Sequence, residues 1–542
     1  MRGNERHGQC EQTPRVYRGL TQFEGRLHGE TNIESILALE GQIREYEVTL
    51  KNLKRARNSL LNISKLPPEV LGNIFRWNVT FNDDFGGLGK ESHNFLLVCH
   101  HWFEVASSTP EIWSFWGNTP KDWARWFHHS GTAPLDLVLE PGDEYDPFDA
   151  VVFEIVLFDA LKDRATRDTI RRIHLKATDS VFLNSVISSL TTTSKELQLS
   201  SVESFIFRNG GNELVDISDF FTHHCYPRLQ RLELFTCKIS SWDLITSRVT
   251  ALTTLDLNFY SLEPPPTISE TVLLLTSNPT LRKVSLFGYG VGTHGDRNHT
   301  LRVPLRHLKE LKLDGDLQDV FGLLNKLDHP RRMDHLDITL DACEVEDVSQ
   351  TIGPYVRNYL RHHGAQGGLG LSLPSWNDID FHVGDVDGID FSVPAPARMD
   401  TFMKFSIEFD RTPPNLDKVT LDLIAHVPRE EIVYFQAQGT PLATEDVSAQ
   451  FPNLRGLRFE KTPLSVAFPK VTPDRNGEVF PSLRYISLDQ MVMSGGDGWE
   501  PLSTFLLRRV RAGRRLHSLV IVGPYRVVPI TPEMVGEYRL NP

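Results

Sequence analysis

The chain has 542 residues, of which 40% are hydrophobic and 23% are charged. This length predicts more than one structural unit, and the hydrophobic fraction is sufficient for a substantial core. The formal net charge of −13 argues against a general nucleic-acid-binding role, which needs a basic surface. The five cysteines include no Cys-x-x-Cys pair, so no disulfide framework is expected. No segment offers the roughly 20 apolar residues that cross a bilayer. We therefore expect a protein of the cytoplasm and/or the nucleus without a membrane partner.

The first 63 residues contain two segments of different character. Residues 1–30 are polar and rich in glycine, and we expect them to be disordered. Residues 31–63 predict one long helix, because apolar side chains recur there at heptad spacing. The segment is either a short coiled coil, which lets two copies associate weakly through residues 33–63, or an amphipathic helix that folds back on its own chain. The a positions are Ile36, Ile43, Leu50 and Arg57, and the d positions are Leu39, Tyr46, Leu53 and Leu60.

Residues 64–116 predict a helical domain. Leu66-Pro67-Pro68-Glu69 is typical of a helix start, with proline in the first turn and a carboxylate at the positive end of the helix dipole. The apolar residues that follow share one helix face. Residues 78–93 predict a polar loop, and a second helix is predicted from about Asn94 to Ala106. The apolar surface of this second helix is wide enough to contact both its own domain and a partner helix.

Three short motifs in this region occur in a fixed order. They are Leu66-Pro67-Pro68-Glu69, Leu97-Val98-Cys99-His100-His101-Trp102 and Pro110-Glu111-Ile112-Trp113. In their order, and in the spacing within each half, they resemble the F-box family. The loop of residues 78–93 is longer than in a minimal F-box and leaves the motifs intact. Residues 117–134 form a connector, and the Trp-x-x-x-Ser-Gly-x-Ala-Pro-Leu pattern of residues 126–135 is similar to that of large fungal F-box proteins.

The resemblance implies a function in protein recruitment. An F-box binds a Skp-type adaptor, which connects to a cullin and a RING subunit, so the chain would be the substrate-receptor subunit of an SCF-type ubiquitin ligase. Catalysis would then occur on other subunits, and this chain would contribute proximity. A non-catalytic F-box scaffold that acts outside ubiquitylation is the alternative, and the sequence leaves it open. The residues expected to contact the adaptor are Leu66, Pro67, Val70, Leu71, Ile74, Leu97, Val98, Cys99 and Trp102.

Residues 135–542 repeat a short signature, apolar-x-x-apolar-x-apolar. Clear copies begin at Leu229, Leu252, Leu281 and Leu308, 23 to 29 residues apart, in or near the range of leucine-rich repeats. In each copy the last two apolar residues would alternate along a strand and point to a buried face. We predict an irregular leucine-rich-repeat-like α/β solenoid, with an ordinary α/β domain as the alternative. The strand face of the solenoid would bind a target protein whose identity the sequence does not reveal.

Two parts of this region deserve separate predictions. A weaker copy of the signature, Leu416-Val419-Leu421, predicts a further strand. Residues 364–400 are rich in Gly, Asp and Pro and carry no clear repeat, so we predict a loop insertion at about this place.

No sequence motif indicates catalysis or a bound cofactor. Gly-x-Ser-x-Gly and His-Glu-x-x-His are both missing from the sequence. Asp385-x-Asp387-Gly388-x-Asp390 lacks the oxygen ligands that complete an EF-hand loop, so a solvated acidic loop is the better interpretation. His223, His224, Cys225 and Cys237 lack a second close ligand pair for zinc. We therefore expect no enzymatic activity, no cofactor and no metal.

Overall fold

A computed structural model divides the chain into two compact units. The helical unit comprises residues 1–114 and 125–131, and the repeat unit comprises residues 115–124 and 132–542. The disorder predicted for residues 1–30, the polar loop beyond residue 79, the first part of the connector and the acidic loop beyond residue 385 lie outside the described residues. The structure describes residues 32–79, 94–116, 128–139, 170–177, 180–192, 199–211, 213–223, 225–289, 302–328, 333–343, 348–363, 369–373, 379–385, 400–409, 416–438, 447, 450–468, 480–491, 499–523 and 534–541.

The helical unit combines one long helix with shorter ones. α2 begins where the sequence predicts, because the N–H groups of Val70 and Leu71 both donate to the carbonyl oxygen of Pro67 and Pro68 occupies the first turn. The α-helices are α1 (Asn32–Ser59), α2 (Pro68–Val79) and α3 (His100–Ser107), and 3-10 helices are formed by Asn62–Lys65, Asn94–Leu97 and Pro110–Trp113.

An aromatic core holds this unit together. The ring of Phe75 is stacked on that of Phe95 with their centroids 4.5 Å apart, and the ring of Trp102 lies 5.1 Å from that of Phe75. Trp113 is buried and donates from Nε1 to the carbonyl oxygen of Ala106 at 2.7 Å. Buried aromatic rings contribute large apolar areas, and an indole N–H must find an acceptor when it is buried. The two tryptophans of the sequence motifs therefore hold the fold of this unit.

The second predicted helix is not continuous from Asn94 to Ala106. A 3-10 helix covers Asn94–Leu97, and α3 begins only at His100. The cause is Cys99, whose backbone is extended with φ −163° and ψ 166°. Because the chain turns at this point, Val98 is 53% exposed and does not share the buried stripe of Val105.

The apolar heptad side chains of α1 are exposed along most of the helix. Ile36, Ile43, Tyr46, Leu50 and Leu53 are each between 52% and 64% exposed. Within the described part of the chain, α1 therefore does not bury these side chains against its own chain. An isolated helix gains little stability from propensity alone, so an amphipathic helix of 28 residues is stabilised chiefly by whatever covers its apolar face.

The repeat unit is built on one large sheet with helices between many of its strands. The strands are β1 (Phe115–Trp116), β2 (Leu135–Leu139), β3 (Ile170–Ala177), β4 (Ser204–Asn209), β5 (Val215–Asp216), β6 (Arg231–Phe235), β7 (Cys237–Lys238), β8 (Thr254–Asn258), β9 (Leu262–Glu263), β10 (Lys283–Tyr289), β11 (Val303–Pro304), β12 (Glu310–Asp316), β13 (Leu327–Asp328), β14 (His335–Cys343), β15 (Leu369–Leu373), β16 (Ile379–Asp385), β17 (Asp400–Phe409), β18 (Ile432–Gln438), β19 (Gly456–Glu460), β20 (Tyr485–Asp489), β21 (Leu516–Val522) and β22 (Val535–Asn541). The helices are α4 (Ser180–Thr192), α5 (Ser218–His223), α6 (Trp242–Arg248), α7 (Ile268–Ser277), α8 (Leu317–Leu324), α9 (Gly353–His363), α10 (Leu416–Ile424), α11 (Leu464–Ala467) and α12 (Glu500–Arg511), with a π-helical turn at Val348–Ile352 and a 3-10 turn at Phe259–Ser261.

Seventeen strands pair in the large sheet. From one edge to the other they run β1-β2-β3-β4-β6-β8-β10-β12-β14-β17-β16-β15-β18-β19-β20-β21-β22. Within the described strands of this sheet all pairs are parallel, except that β16 runs antiparallel to both of its neighbours. The short strands β5, β7 and β9 form a separate parallel sheet, and β11 pairs with β13.

The apolar signature keeps its register from strand to strand. Leu232 of β6 lies beside Leu255 of β8, which lies beside Val284 of β10, which in turn lies beside Leu311 of β12. All four side chains are buried in one core together with apolar side chains of the connecting helices. A single repeat cannot bury such a row, so neighbouring repeats must stack. The prediction of a mixed α/β architecture with a large parallel, leucine-rich-repeat-like sheet is confirmed.

The prediction that the weaker copy of the signature at Leu416-Val419-Leu421 forms a strand is wrong. These residues lie in α10, where Val419, Leu423 and Ile424 are buried at helical spacing. The strand of this repeat is β18 instead, and its buried residues are Ile432, Tyr434, Phe435 and Ala437.

The range 364–400, for which the sequence predicts a loop insertion, contains two strands of the sheet. β15 and β16 lie there, and β17 begins at its end. The chain leaves β14, enters the sheet three positions further along as β15, and returns through β16 and β17 to pair with β14. Leu371, Phe381 and Val383 are buried. Their period-two spacing is the strand signal in this segment, which is otherwise rich in glycine and aspartate.

Candidate protein-binding surfaces

The nine residues predicted to contact an adaptor divide by exposure. Leu71 lies on the buried face of α2 and is fully buried. It therefore holds the helical unit together, and its side chain is not available to a partner. Val70 and Ile74 are each 43% exposed, Val98 is 53% exposed and Leu97 is 84% exposed. Pro67 is exposed, whereas Leu66, Cys99 and Trp102 are half-buried.

The exposed side chains of α2 form one stripe. Val70 and Ile74 lie four residues apart, and Trp77, three residues further on, is 79% exposed. This spacing places the three residues, which we call the α2 stripe, on one helix face, while Leu71 and Phe75 occupy the buried face. Trp77 was missed by sequence reasoning, although its helical spacing from Ile74 was the signal that could have revealed it.

Leu97 and Val98 form a second exposed apolar group, which we call the Leu97–Val98 corner. They are exposed because the extended Cys99 separates the 3-10 helix from α3. The stacking of Phe95 on Phe75 places this 3-10 helix against α2. Both apolar groups therefore belong to elements that share one aromatic core, which fixes their positions before any partner binds.

A cavity of about 470 Å³ opens beside Cys99. Within it, Nδ1 of His100 lies 3.1 Å from Oε1 of Glu104, one turn along α3. The cavity joins the C-terminal end of α1 to the start of α3, and its lining residues are Arg55, Asn58, Ser59, Cys99, His100, His101 and Glu104.

The outward face of the large sheet carries polar and charged side chains between the buried apolar ones. Buried carboxylates on this face are paired with arginines: Asp136 accepts from Arg171 and Arg172 at 2.8 and 2.7 Å. Glu233 pairs with Arg208 and Arg231, each at 2.6 Å. The hydrogen bond from Arg171 to Asp136 raises the pKa of that arginine. A buried charge is tolerated when it is paired in this way, so these groups are structural.

Three buried acceptors on the middle strands have no such donor. The Oδ1 atoms of Asp256 and Asn258 on β8, and of Asp337 on β14, accept no hydrogen bond from the described residues. Desolvation, together with the nearby Glu233 carboxylate, raises the pKa of Asp256 to about 6. Buried polar atoms are nearly always hydrogen-bonded in folded proteins. The described residues leave these three oxygen atoms without a donor, which is unfavourable for the folded state.

Tyr260 is an exposed aromatic side chain in the 3-10 turn that follows the C-terminal end of β8. It is 54% exposed, and its hydroxyl donates to Oδ2 of Asp341 at 2.6 Å. Gly288 has a φ of +69° and lets the ring lie against its backbone, since a Cβ there would come within 2.5 Å of the ring. Tyrosine offers a large contact area with little conformational freedom to lose, so a pre-positioned tyrosine is suited to binding a protein.

Two further properties bear on ligands and membranes. Burial raises the pKa of the Cys237 thiol, so the neutral thiol is favoured over the thiolate that zinc requires. In the described ranges, no three His, Cys, Asp or Glu side chains come together as a metal site. Among the helices of those ranges, none combines the length and the apolar character needed to cross a bilayer.

Comparison with known proteins gives a limited result. No protein-family model matches the chain, and no curated protein matches it. Among solved structures, 13 chains match. One is the leucine-rich repeat-containing protein LegL7 from Legionella pneumophila, with 11% sequence identity, coverage of 74% of this chain and 98% of that chain, and a TM-score of 0.23. The repeat architecture described above rests on the strand pairing and the register of this chain itself.

Proposed function

We propose that this chain is an F-box substrate receptor of an SCF-type ubiquitin ligase. Its helical unit binds a Skp-type adaptor and, through it, a cullin, and its repeat unit binds a target protein. In this proposal the chain performs no chemistry of its own, because the ubiquitin-transferring groups belong to other subunits and this chain brings the target near them.

The observation that carries the proposal is the uneven distribution of exposed large hydrophobic side chains. Of the 20 such side chains among the described residues, 15 belong to the helical unit, which is much the smaller of the two. Single exposed apolar residues are ordinary, but a concentration of them indicates a surface that another protein covers. The α2 stripe and the Leu97–Val98 corner lie in or beside the Leu-Pro-x-Glu and Leu-Val-Cys-x-x-Trp motifs, whose resemblance to the F-box family gives this partner its identity.

Within the same motifs, buried residues stabilise the helical unit and exposed residues are available to a partner. Leu71, Phe75 and Trp113 are buried and hold the helical unit together. Their neighbours Val70 and Ile74 remain partly exposed on the opposite face of α2. A partner helix that covers this face would bury apolar area from both sides, which is the usual driving force of helix-in-groove recognition.

The outward face of the large sheet is the surface that we assign to the target. Tyr260 provides a rigid, exposed aromatic contact on this face. Aromatic side chains held in one position are the kind that dominate the binding energy of protein interfaces.

Binding of purified wild-type and variant chains to a purified Skp-type adaptor tests the proposal. We expect Leu97→Asp and Trp77→Ala to weaken adaptor binding by at least about tenfold, a loss of roughly 1.4 kcal/mol. Both side chains are at least 79% exposed, so the fold should persist. Val181→Asp is the matched control, since Val181 is 71% exposed but lies in α4 of the repeat unit. A wild-type chain that does not bind, or a Leu97→Asp chain that binds like the control, would refute adaptor recognition.

A second measurement separates a ligase receptor from a scaffold. The adaptor complex is mixed with a purified cullin–RING module, and complex formation is followed by size-exclusion chromatography. Recovery of the cullin with this chain supports the ligase function. Recovery of the adaptor alone would favour a scaffold that acts outside ubiquitylation.

A further inference from the structure

The uncovered heptad stripe of α1 carries an inference that does not depend on the F-box proposal. We propose that two copies of this chain pair through α1 as a parallel, two-stranded coiled coil. The a and d side chains Ile36, Ile43, Leu50 and Leu53 are all more than half exposed on a helix of 28 residues. The occupant that the following observations favour is a second copy of the same helix.

The residue types along the stripe select the number of strands. Ile36 and Ile43 occupy two a positions, and Leu39 and Leu53 occupy two d positions, while Leu50 at a and Tyr46 at d complete the apolar layers within α1. β-branched residues at a together with leucine at d favour two strands in parallel coiled coils, because the packing geometry differs between the two layers. When two identical helices pair in register, a layers and d layers alternate along the pair, and neither helix has to change its conformation.

Arg57 breaks the apolar pattern at the fourth a position and gives the pair its register. Its Nε and Nη2 atoms donate to Oδ1 of Asn58 at 3.2 and 3.0 Å, and both residues are exposed. A polar residue at one a position specifies alignment, because any shift would bury the charge opposite an apolar layer. Near the C-terminus of the helix, this charge also complements the helix dipole.

The charges that flank the stripe are compatible with the parallel orientation. In a parallel pair, each g position faces the e position five residues later in the partner. The facing residues are then Gln42 with Glu47 and Thr49 with Lys54, so no like charges meet at these flanking positions. An antiparallel pair would bring e positions together, so that Glu47 would face its own copy and Glu40 would face Lys54. The parallel orientation is therefore argued from isoleucine at a, leucine at d and the single charged a layer.

Sedimentation of the full chain over a range of concentrations tests the pairing. We expect a monomer–dimer equilibrium for the wild type. Ile43→Asp should raise the dimer dissociation constant by at least about a hundredfold, because it places a charge at the same layer in both copies. Val48→Asp is the matched control: Val48 is 58% exposed against 54% for Ile43, but it lies at an f position on the outer face. Its dissociation constant should stay within about threefold of the wild type.

Two further variants test register and orientation. Arg57→Leu should lower the dimer dissociation constant by about tenfold, because it replaces a charged layer by an apolar one. Ile43→Cys should form a disulfide between the two copies of residue 43 under mild oxidation, identified by peptide mapping. The antiparallel pairing would place residue 43 opposite residue 53 of the other copy. The two copies of residue 43 would then lie about 15 Å apart along the axis, and no such cross-link would form.

The outcomes that overturn the proposal are specific. A wild type that remains monomeric at all concentrations excludes the pairing. Equal effects of Ile43→Asp and Val48→Asp would show that association does not use the heptad stripe. A missing cross-link at residue 43 in a chain that does dimerise would exclude the parallel arrangement. Loss of adaptor binding with dimerisation intact would count against the F-box proposal alone, so the failure of either proposal is distinguishable.

Discussion

Asp256 is a residue whose ionisation destabilises the folded state. Its carboxylate is largely desolvated beside Glu233, and its pKa is raised to about 6 from 3.8. Between these pH values the folded state binds more protons than the unfolded chain, so stability falls as the pH rises through this window.

The Asp256→Asn variant should therefore be more stable than the wild type at pH 7. We expect an increase of up to about 3 kcal/mol in the free energy of unfolding, shrinking to near zero below about pH 4, measured by urea titration at several pH values. Asp328→Asn is the control, since Asp328 is exposed and its substitution should change little at any pH. A stability difference that is independent of pH would contradict the assigned ionisation.

Gly315 occupies a backbone conformation that other residues rarely adopt. Its φ is +149°, and a Cβ at this position would overlap the carbonyl oxygen of Tyr289 on the neighbouring strand. Gly315→Ala should lower the free energy of unfolding by more than about 1 kcal/mol. Gly322→Ala is the control in α8, where nothing lies within 4 Å of the added methyl group and a gain of about 0.5–1 kcal/mol is expected. Equal thermal shifts for the two variants would refute the steric argument.

Among the elements, α7 shows how a local signal fixes a helix start in the repeat unit. Thr267 Oγ1 accepts from the N–H of Glu270 at 3.2 Å, and the Glu270 carboxylate accepts from the N–H of Thr267 at 2.8 Å. This reciprocal capping box satisfies two donors that the helix itself leaves free. It aligns Val272 and Leu275 with the core.

Removing this cap should destabilise the repeat unit. Thr267→Ala is expected to reduce the free energy of unfolding by about 1 kcal/mol, and Thr267→Ser, which keeps the hydroxyl, by less than half of this. Urea denaturation followed by circular dichroism measures both. If the serine and alanine variants were equally destabilised, the hydroxyl would not be the stabilising group.

The elements also show what the sequence could predict. Leucine-rich copies such as Leu255-x-Leu257 were predicted as strands, because each copy contains its own period-two pattern. Val202-x-x-Phe205-x-Phe207 fits the same apolar signature and places Phe205 and Phe207 in β4, but this copy was not predicted. The copy at residues 416–421 failed because Val419 also begins a helical pattern, which Leu423 and Ile424 continue at i+4 and i+5 on the buried face of α10. β16 lies close in sequence to both of its partners, and Phe381 and Val383 carry its period-two signal, but the surrounding glycines and aspartates led to the prediction of a loop.

The same limit applies to the surface that we assign to the adaptor. Val70 and Ile74 could be predicted from helical spacing, but Leu71 belongs to the same motif and is buried. Exposure depends on where Phe95 and Trp102 pack, and the sequence does not state this. The exposure of Leu97 and Val98 likewise follows from the extended conformation of Cys99, since the apolar pattern of the segment suggested a continuous helix.

At the scale of the whole molecule, the two compact units have separate cores. The core of the helical unit centres on Phe75, and the core of the repeat unit includes Leu311. Units with separate cores are expected to unfold in separate transitions, since two-state behaviour is a property of single domains.

Calorimetry of the full chain should therefore resolve two transitions. Phe75→Ala should lower the midpoint of one, and Leu311→Ala should lower the midpoint of the other, each through a loss of about 2–5 kcal/mol. The two substitutions serve as controls for each other. A single transition that both variants shift equally would show that the cores are thermodynamically coupled.

The antiparallel strand β16 has a consequence for the order in which the chain acquires its structure. Up to β14, each new strand pairs with one formed shortly before it, so assembly can proceed from neighbour to neighbour with low contact order. The next place in the sheet belongs to β17, which begins at residue 400, whereas β14 ends at residue 343. The β15–β16–β17 meander must form before the first half of the sheet can join the second. The formation of this meander is therefore the step that links the folding of the two halves of the repeat unit. If β17 pairs slowly with β14, β14 remains an open edge strand on which aggregation could begin.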